Sequence, residues 1–281
     1  MKTPKSLEIL ITEGFIDEVI HPLKSGKEAD VYVVQSEGEI CCAKVYKKVE
    51  KRSFHTQALY QEGHKVKNSR QARAMKKKSQ YGRKQQEEVW QNTEVDALYK
   101  FAGARVPKPY NFIEGILLME LIADEHGSAA PRLTDIEMSA EQAKEYHAIL
   151  IKEVVRMLCA GMVRGDLSEF NILIDSQGPV IIDLPQAVDA AANNNAARML
   201  DRDVNNLAAY FGKFAPELLS TTYGKEIWQL YQSGHLSPDI KLTGYFKGNN
   251  KQADVRSIMK EIDAAREEAI QRKYELANEP L

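Results

Sequence analysis

Residues 163–174 read VRGDLSEFNILI, and the segment VIID follows at residues 180–183. Asp166 and Asn171 lie in a polar stretch with four residues between them, and Asp183 ends an apolar run. Phosphoryl transfer from a nucleotide needs an acid beside the attacking hydroxyl, together with an amide and a second acid that hold metal ions. A single Asp near the end of a strand is common, but this ordered set indicates phosphoryl transfer.

The residues around this stretch predict why its polar side chains meet. Ile172–Ile174 and Val180–Ile182 are two short β-branched runs joined by the turn DSQGP at 175–179. Such a pattern predicts a β-hairpin, which brings Asn171 and Asp183 to neighbouring strand ends. Upstream, Ser139 and Gln142 have the spacing of a capping box, and an apolar stripe then runs to Gly161. The catalytic stretch therefore follows a long core helix.

A second set of polar residues lies far upstream. Apolar runs at Val31–Val34 and Ile40–Tyr46 are separated by a turn at 36–39, which predicts a hairpin with Lys44 in its second strand. The preceding loop carries Ser25 and Gly26, and we expect its backbone N–H groups and the Lys44 ammonium to face phosphate oxygens. The loop has one glycine where the kinase pattern GxGxxG has three, and an exposed lysine between strands explains the same residues.

The next helix strengthens the nucleotide interpretation. Apolar residues fall at helical spacing from about residue 86 to Phe101, with Glu94 on a nearby face. Glu94 can pair with Lys44 and direct it toward phosphates, although alone it would be a solvated helix acid. Further on, the run 116–122 ends a small sheet. Backbone groups of Glu120 and Ile122 can pair with an adenine edge only if this strand is open on one side.

Composition sets the class of protein. The chain has 281 residues, of which 43% are hydrophobic and 28% charged, as in ordinary globular proteins. Its three cysteines cannot form a disulfide framework and match no zinc spacing, which favours a reducing cytoplasm. Glu8 and Glu13 interrupt what would be a signal-peptide core, and no run reaches the ~18 apolar residues of a membrane span. We expect a cytoplasmic protein with no membrane contact.

The charge is unevenly distributed. The formal net charge is −2, yet residues 47–84 hold thirteen Lys and Arg against two acids. Such a stretch could bind nucleic-acid phosphates. It also has few large apolar residues, which favours a solvated, flexible insertion at about 48–84 over a dedicated nucleic-acid site.

Motifs along the chain resemble the RIO family of atypical serine protein kinases, closest to its type-1 branch. The resemblance runs from about Leu23 to Phe211 and rests on KSGKEADVY, CAKVYKK, WQNTE, GARVPKP, LLMELI, GDLSEFNIL and VIIDLPQAV. It implies an α+β, bilobal protein-kinase-like fold with a small antiparallel-sheet N-lobe carrying one helix, and a mainly helical C-lobe. It also implies ATP with Mg²⁺ or Mn²⁺ as cofactors, a protein substrate phosphorylated on serine, and autophosphorylation. In this family the acid at the Asp183 position can itself be phosphorylated, so that some members act as ATPase switches.

The resemblance assigns roles to particular residues. Asp166 and Asp183 would be catalytic, and Asn171 and Asp183 would bind metal. Cofactor-binding roles would fall on Ser25, Gly26, Lys44, Glu94, Glu120 and Ile122. The basic insertion matches a flexible loop of the family, and the ribosome-related roles of many relatives leave an RNA-containing partner open. The implied organisation is a helical extension at 1–22, an N-lobe at 23–122 and a C-lobe at 123–281, with a further tail helix at 255–276.

Two positions depart from the family pattern. Arg164 stands where His usually precedes the Gly-Asp pair, and Pro185 stands where Ser usually follows the metal acid. Because the residue at 164 supports the loop, its change is expected to alter loop rigidity and to leave the chemistry in place.

Two other functions remain open from the residues. An aminoglycoside-type phosphotransferase shares a GDL…N loop and a metal acid, but it usually adds an acidic substrate pocket, for which residues 184–198 offer only Asp189. An RNA- or ribosome-binding module with a regulatory nucleotide site would depend on the basic insertion.

Overall fold

A computed structural model of the chain describes residues 3–26, 28–47, 93–101 and 103–246. The basic insertion at 48–84, the expected helix before residue 93 and the expected tail helix at 255–276 lie outside these residues. Everything described up to Tyr245 belongs to one compact unit.

Five antiparallel strands form the sheet of the N-lobe, in the spatial order β1-β2-β3-β5-β4. Their bounds are Glu18–Ser25 (β1), Ala29–Ser36 (β2), Glu39–Tyr46 (β3), Pro109–Ile113 (β4) and Ile116–Glu120 (β5). The predicted hairpin of β2 and β3 is confirmed, with Val31 opposite Lys44. On the other side of β3, Lys44 lies opposite Leu117 of β5. Lys44 therefore occupies the middle strand of the sheet.

Two tight turns fix the register of these hairpins. Glu37 and Gly38 connect β2 to β3 with φ of 51° and 83°, and Glu114 and Gly115 connect β4 to β5 with φ of 50° and 76°. Two consecutive residues with positive φ make a turn whose twist matches that of the flanking strands. Gly at the second position removes the steric cost of this conformation.

Helix α1, Lys5–Thr12, covers the outer face of the sheet. Leu7, Leu10 and Ile16 are buried in one cluster with strand residues that include Cys41 and Leu118. The expected helical extension at 1–22 is therefore wrong in two respects. Strand β1 already begins at Glu18, and α1 is packed into the N-lobe because its apolar side chains complete that core.

The inner face of the sheet meets helix α2, which is described for residues 93–100. Val95, Leu98 and Phe101 are buried and belong to the main core with Tyr46 and Leu117. The apolar spacing used to predict this helix thus marks its buried side. Glu94 lies on that side too and is 2% exposed, so it is a buried acid and not a solvated one.

The C-lobe is built mainly of helices. They are α3 (Ala140–Cys159), α4 (Ala196–Phe211) and α5 (Tyr223–Gln232). The capping box predicted at Ser139 and Gln142 is present, with both reciprocal hydrogen bonds formed. Between α3 and α4 run the short strands β6 (Met162–Val163), β7 (Ile172–Asp175), β8 (Gly178–Ile181) and β9 (Val188–Asp189). Strands β7 and β8 pair as the predicted hairpin, and β6 pairs with β9.

These elements confirm the predicted α+β, kinase-like architecture. A five-stranded antiparallel sheet precedes a mainly helical region, and both contribute to one core that includes Leu117 of the sheet and Leu150 and Leu158 of α3. The Ala-Pro-Glu triplet at 215–217 lies at the start of a short 3-10 helix, Pro216–Ser220.

Candidate active site

Lys44 joins the two halves of the predicted site. Its Nζ lies 2.6 Å from Oε1 of Glu94 and 2.9 Å from Oδ1 of Asp183. The Tyr46 hydroxyl donates to the second Glu94 oxygen, Oε2, at 2.5 Å. The contact between Lys44 and Glu94 expected from the sequence is therefore present, and Asp183 of the C-lobe reaches the same ammonium.

The electrostatics favour the charged forms of Lys44 and Asp183. Burial opposes the charge on Lys44, which is 8% exposed, but the nearby Glu94 and Asp183 carboxylates raise the pKa of Lys44 above its usual value. Burial likewise opposes ionisation of Asp183, yet the Lys44 ammonium holds the pKa of its carboxyl below the usual value. The side chain of Asp183 is 44% exposed, so its carboxylate remains accessible to solvent.

The backbone at Asp183 is unusual. Asp183 has φ of 64°, in the left-handed region that non-glycine residues rarely adopt. Arg164 donates from Nη2 to the Asp183 carbonyl oxygen at 2.6 Å and to that of Ile182 at 3.3 Å. The Ile182 N–H in turn donates to the Asn171 carbonyl at 2.9 Å. These bonds hold the turn after β8 against the loop that carries the other site residues.

Asn171 lies in the 3-10 helix Glu169–Asn171, directly before β7. Its Nδ2 donates to the backbone carbonyl of Asp166 at 3.3 Å. Because the amide nitrogen points at the backbone, the amide oxygen is left to face a ligand. The carboxylate of Asp166 is partly buried in the same loop. The hairpin thus places Asn171 and Asp183 at neighbouring strand ends, as the sequence predicted, and Asn171 contacts the backbone of Asp166. The roles of the three side chains stay a prediction.

Side chains of helix α4 hydrogen-bond to the backbone of this loop, and the sequence did not predict these contacts. Asp203 accepts the Gly165 N–H at 2.8 Å through Oδ2. Asn206 donates to the Leu167 carbonyl at 3.1 Å, and Arg202 donates to the Gly165 carbonyl. Asp203 is 1% exposed, and this burial raises the pKa of its carboxyl to about 6 although Arg164 and Arg202 oppose the shift. The available signal was a polar cluster within a helix whose other turns are apolar.

The expected phosphate loop differs in detail from the prediction. The Gly26 N–H donates to the Ala29 carbonyl at 2.9 Å, so the expectation that it faces phosphate oxygens is wrong. The Ser25 hydroxyl donates to Asp30 at 2.5 Å, and Lys47 donates to the Gly26 carbonyl at 2.7 Å. Hydrogen bonds among the loop's own residues and its neighbours therefore close the loop.

The expected adenine-binding strand is only partly open. Strand β5 lies between β3 and β4. The Glu120 N–H donates to the Lys108 carbonyl at 2.9 Å, and the Ile122 carbonyl accepts from Ala130 at 2.9 Å. These two groups are therefore not free for a ligand, although pairing with adenine was expected to need a strand that is open on one side. Apart from strand pairing, no backbone bond is described for the Glu120 carbonyl or the Ile122 N–H.

The donor set suits a metal ion shared with a phosphate chain. Among the described residues, no group of three or more His, Cys, Asp or Glu side chains is arranged to hold a metal ion. Asn171 offers an amide oxygen and Asp183 a carboxylate. Both are hard oxygen ligands of the kind that Mg²⁺ and Mn²⁺ prefer. Mg²⁺ usually binds through one or two carboxylates plus substrate phosphates. The residues present fit such an ion only together with a nucleotide.

Within the described ranges, none of the helices is both long and apolar enough to cross a membrane.

Known proteins resemble the chain over the region that carries this site. The family model described as "RIO domain" matches residues 30–223. The RIO-type serine/threonine-protein kinase Rio1 of Haloferax volcanii is 31% identical over 205 residues, which are 72% of this chain and 66% of that protein. The serine/threonine-protein kinase rio1 of Schizosaccharomyces pombe is 27% identical over 221 residues, 75% of this chain and 41% of its own length.

A relative of another branch matches as well. The RIO-type serine/threonine-protein kinase Rio2 of Methanocaldococcus jannaschii is 29% identical over 213 residues, 74% of this chain and 73% of that protein. The chain thus spans less than two thirds of the first Rio1 relatives, and most of the Rio2 relative. The family model covers all of Lys44, Glu94, Asp166, Asn171 and Asp183. The chain therefore belongs to the RIO family, and the Rio1 relatives support its placement near the type-1 branch.

Proposed function

We propose that the chain is an ATP-dependent protein kinase of RIO type that phosphorylates serine, with an ATPase switch as a second outcome at the same site. The observation that carries the proposal is the position of Lys44, whose ammonium contacts Glu94 of the N-lobe at 2.6 Å and Asp183 of the C-lobe at 2.9 Å. A buried lysine held between these acids is poised to exchange Asp183 for phosphate oxygens. The names of the relatives, all serine/threonine-protein kinases, point the same way.

In this proposal each residue has a defined task. Lys44 turns from Asp183 to the nucleotide phosphates while its ammonium keeps the bond to Glu94, which the Tyr46 hydroxyl holds in place. Asn171 and Asp183 hold Mg²⁺ or Mn²⁺, which would neutralise developing charge on the transferred phosphoryl group. Asp166 accepts the proton of the attacking serine hydroxyl. Ser25 and Gly26 shape the loop above the phosphates without supplying the Gly26 N–H.

The adenine would lie at the end of β5. The Glu120 N–H and the Ile122 carbonyl are bonded within the protein, to Lys108 and Ala130. The Glu120 carbonyl and Ile122 N–H form an acceptor and a donor two residues apart, which suits the amino group and a ring nitrogen of adenine. This pairing would orient the nucleotide with its phosphates toward Lys44.

The switch reaction uses the exposed carboxylate of Asp183. One Asp183 oxygen attacks the γ-phosphorus, the bond between that phosphorus and the β–γ bridging oxygen breaks, and ADP leaves. Water then attacks the acyl phosphate, which restores the carboxylate and releases inorganic phosphate. The 44% exposure of the side chain allows this attack once Lys44 has moved to the phosphates.

The two alternatives receive no specific support from the described residues. Asp189, the one acid available for an aminoglycoside pocket, accepts the N–H groups of Ala191 and Ala192 at 2.9 Å and so closes a turn. Binding of RNA or a ribosome would depend on the insertion at 48–84, so such a partner is kept as a proposal on sequence grounds only. A cytoplasmic location is likewise proposed from the three cysteines of the chain.

Labelling with [γ-³²P]ATP tests the proposal. Acid-stable label on the protein or on an added protein substrate supports a serine kinase, and hydroxylamine-labile label supports the aspartyl-phosphate switch. Asp166→Asn should lower serine transfer on the order of 10²-fold or more, since a catalytic acid is removed. The matched control is Asp239→Asn, a change of the same kind at an exposed acid. Full activity in Asp166→Asn would sink the assignment, as would phosphate release that requires a small-molecule acceptor.

A further inference from the structure

A second lysine of the sheet faces the same side as Lys44. Lys24 of β1 lies opposite Val31 of β2, and Val31 lies opposite Lys44 of β3. Residues directly opposite each other in a sheet project from the same face. Adjacent strands are about 4.8 Å apart, so the Lys24 and Lys44 backbones are separated by roughly 10 Å along this row. Lys24 therefore points to the face where Lys44 meets Asp183.

The backbone of Arg132 lies beside the C-lobe hairpin of β7 and β8. It forms an isolated β-bridge with Leu173 of β7, and the neighbouring Pro131 carbonyl accepts the Ile174 N–H at 2.9 Å. Leu173 lies two residues after Asn171, so the bridge fixes Arg132 beside the hairpin that carries the metal ligands. The segment before Arg132 is the connection that leaves the proposed adenine strand.

The charges of Arg132, Lys44 and Asp183 act on Lys24. Burial lowers the pKa of Lys24, and the positive charges of Arg132 and Lys44 lower it further, while Asp183 opposes them. Within the described part of the chain neither Lys24 nor Arg132 forms an ion pair with a carboxylate. Asp183, whose charge acts on Lys24, is paired with Lys44 at 2.9 Å. The positive charges of Arg132 and Lys44 act unfavourably on Lys24, and a bound anion would relieve this repulsion.

From this arrangement we propose that Lys24 and Arg132 form a phosphate-binding pair that closes on one phosphate group from the two lobes. The inference rests on the proposed nucleotide site and adds two residues to it. An ammonium supplies a mobile point charge and a guanidinium supplies a planar fork of donors, and both suit phosphate oxygens. The phosphate belongs either to the nucleotide bound at Lys44 or to a separate phosphorylated group.

The test uses Lys24→Gln, Arg132→Gln and the double variant in the full chain. Each change keeps a polar side chain and removes one positive charge. The matched controls are Lys5→Gln in α1 and Lys152→Gln in α3, which remove one exposed charge from each lobe. Equilibrium binding is measured calorimetrically for ATP, adenosine and tripolyphosphate, and the melting temperature of each variant is recorded without ligand.

Each single change should weaken ATP and tripolyphosphate binding about 10-fold, because a charge-assisted hydrogen bond is lost at each site. The double variant should be weaker again, and adenosine binding and melting temperature should stay at the control values. The salt dependence of ATP binding should also become shallower. A merely structural role would move adenosine binding and the melting temperature together with ATP.

The outcomes separate the sources of phosphate. Loss of both ATP and tripolyphosphate binding assigns the pair to the nucleotide. Loss of tripolyphosphate binding alone, with ATP unchanged, assigns it to a separate phosphate group. Unchanged binding of both ligands in the double variant overturns the inference, while the proposed function stands. If the parent protein binds neither ATP nor adenosine, the proposed nucleotide site itself has failed.

Discussion

Arg164 donates from Nη2 to the carbonyl oxygen of Asp183 at 2.6 Å, and Asp183 is held there at φ of 64°. The guanidinium is 4% exposed, and its Nε and Nη1 have no hydrogen-bond partner among the described residues. Unsatisfied buried donors cost stability. Nη2 of Arg164 thus stabilises the left-handed turn at Asp183, the proposed metal ligand. The family usually has His at position 164.

The first prediction compares two replacements of Arg164. Arg164→Leu removes the donor, so the left-handed turn at Asp183 loses its support and kcat should fall about 10-fold, equivalent to roughly 1.4 kcal/mol in the barrier. Arg164→His can keep one donor for the Asp183 carbonyl and should retain most of the activity. Steady-state kinetics over a range of Mg²⁺ concentrations measures both effects. Equal activity in the two variants would show that the carbonyl contact is unimportant.

The second prediction concerns the buried pair of Lys44 and Glu94, which are 8% and 2% exposed. Lys44→Met leaves Glu94 without its cation and should lower the free energy of unfolding by about 3–5 kcal/mol. In the double variant Lys44→Met/Glu94→Leu the buried Glu94 charge is removed as well, and the Asp183 carboxylate that remains is 44% exposed to solvent. Stability should therefore largely return while activity stays absent. Urea unfolding and ATP labelling measure the two quantities separately. The prediction fails if the double variant is less stable than Lys44→Met alone.

The third prediction is a pH dependence caused by His147. Its ring is 2% exposed and packs against Phe211 and Tyr223 with centroid distances of 5.9 and 5.7 Å. Burial lowers the pKa of His147 from 6.5 to about 4. The neutral ring is favoured in the fold, so this contribution is complete above pH 6.5 and is lost as pH falls toward 4, by up to about 1.4 kcal/mol per pH unit.

His147→Phe isolates this effect. Asp203, with a pKa raised from 3.8 to about 6, binds protons more readily in the fold and gives a slope of the opposite sign between these values. The quantity to follow is therefore the difference in unfolding free energy between the parent and His147→Phe, measured in urea at pH 7, 6 and 5. The variant should gain relative to the parent as pH falls. A difference that is constant with pH would contradict the assignment.

Local patterns predicted much of the fold and the ligands of the site. The hairpin of β7 and β8 and the capping box at Ser139 follow from periodicity and spacing over short stretches. The contact between Lys44 and Glu94, which are 50 residues apart, was expected from the need of a phosphate-binding lysine for an acidic partner and not from a local pattern. The support of the loop by Asp203 and Asn206 did not follow, because a partner 38 or 39 residues away leaves no local pattern. The register that aligns Lys24 with Lys44 depends on the pairing of three strands, and the residues alone do not fix that register.

The sequence also did not predict which backbone N–H groups of the site are free to bind a ligand. The sequence placed Gly26 and Glu120 in the proposed nucleotide site, but it could not tell that their N–H groups donate to Ala29 and Lys108. Every backbone donor in a folded protein seeks a partner. Which carbonyl it finds is decided by the tertiary structure, so residue positions were predictable here and free donors were not.

The last prediction concerns Arg105, which ties the segment after α2 to the hairpin of β7 and β8. Its Nε donates to the Pro179 carbonyl at 2.9 Å, its Nη1 to Gln177 at 3.1 Å and its Nη2 to Asp175 at 2.5 Å. Its own carbonyl accepts the Ile181 N–H at 2.9 Å. Glu94 lies in the helix before this tie and Asp183 follows the tied hairpin, so we expect loss of the tie to affect the placement of both acids that contact Lys44.

Arg105→Met should lower the free energy of unfolding by about 2 kcal/mol, because several side-chain hydrogen bonds are lost and the Asp175 carboxylate loses its partner. It should also lower kcat, since Asp183 is then less firmly placed relative to Glu94. Gln177→Ala is the matched control: it removes one contact of the same guanidinium at an exposed residue and should change stability by less than about 0.5 kcal/mol. Urea unfolding and ATP labelling of both variants decide the matter. We would measure kcat at a temperature where Arg105→Met stays folded. An unchanged kcat there would limit Arg105 to a stabilising role. The Lys44 ion pairs alone would then set the spacing of the two acids.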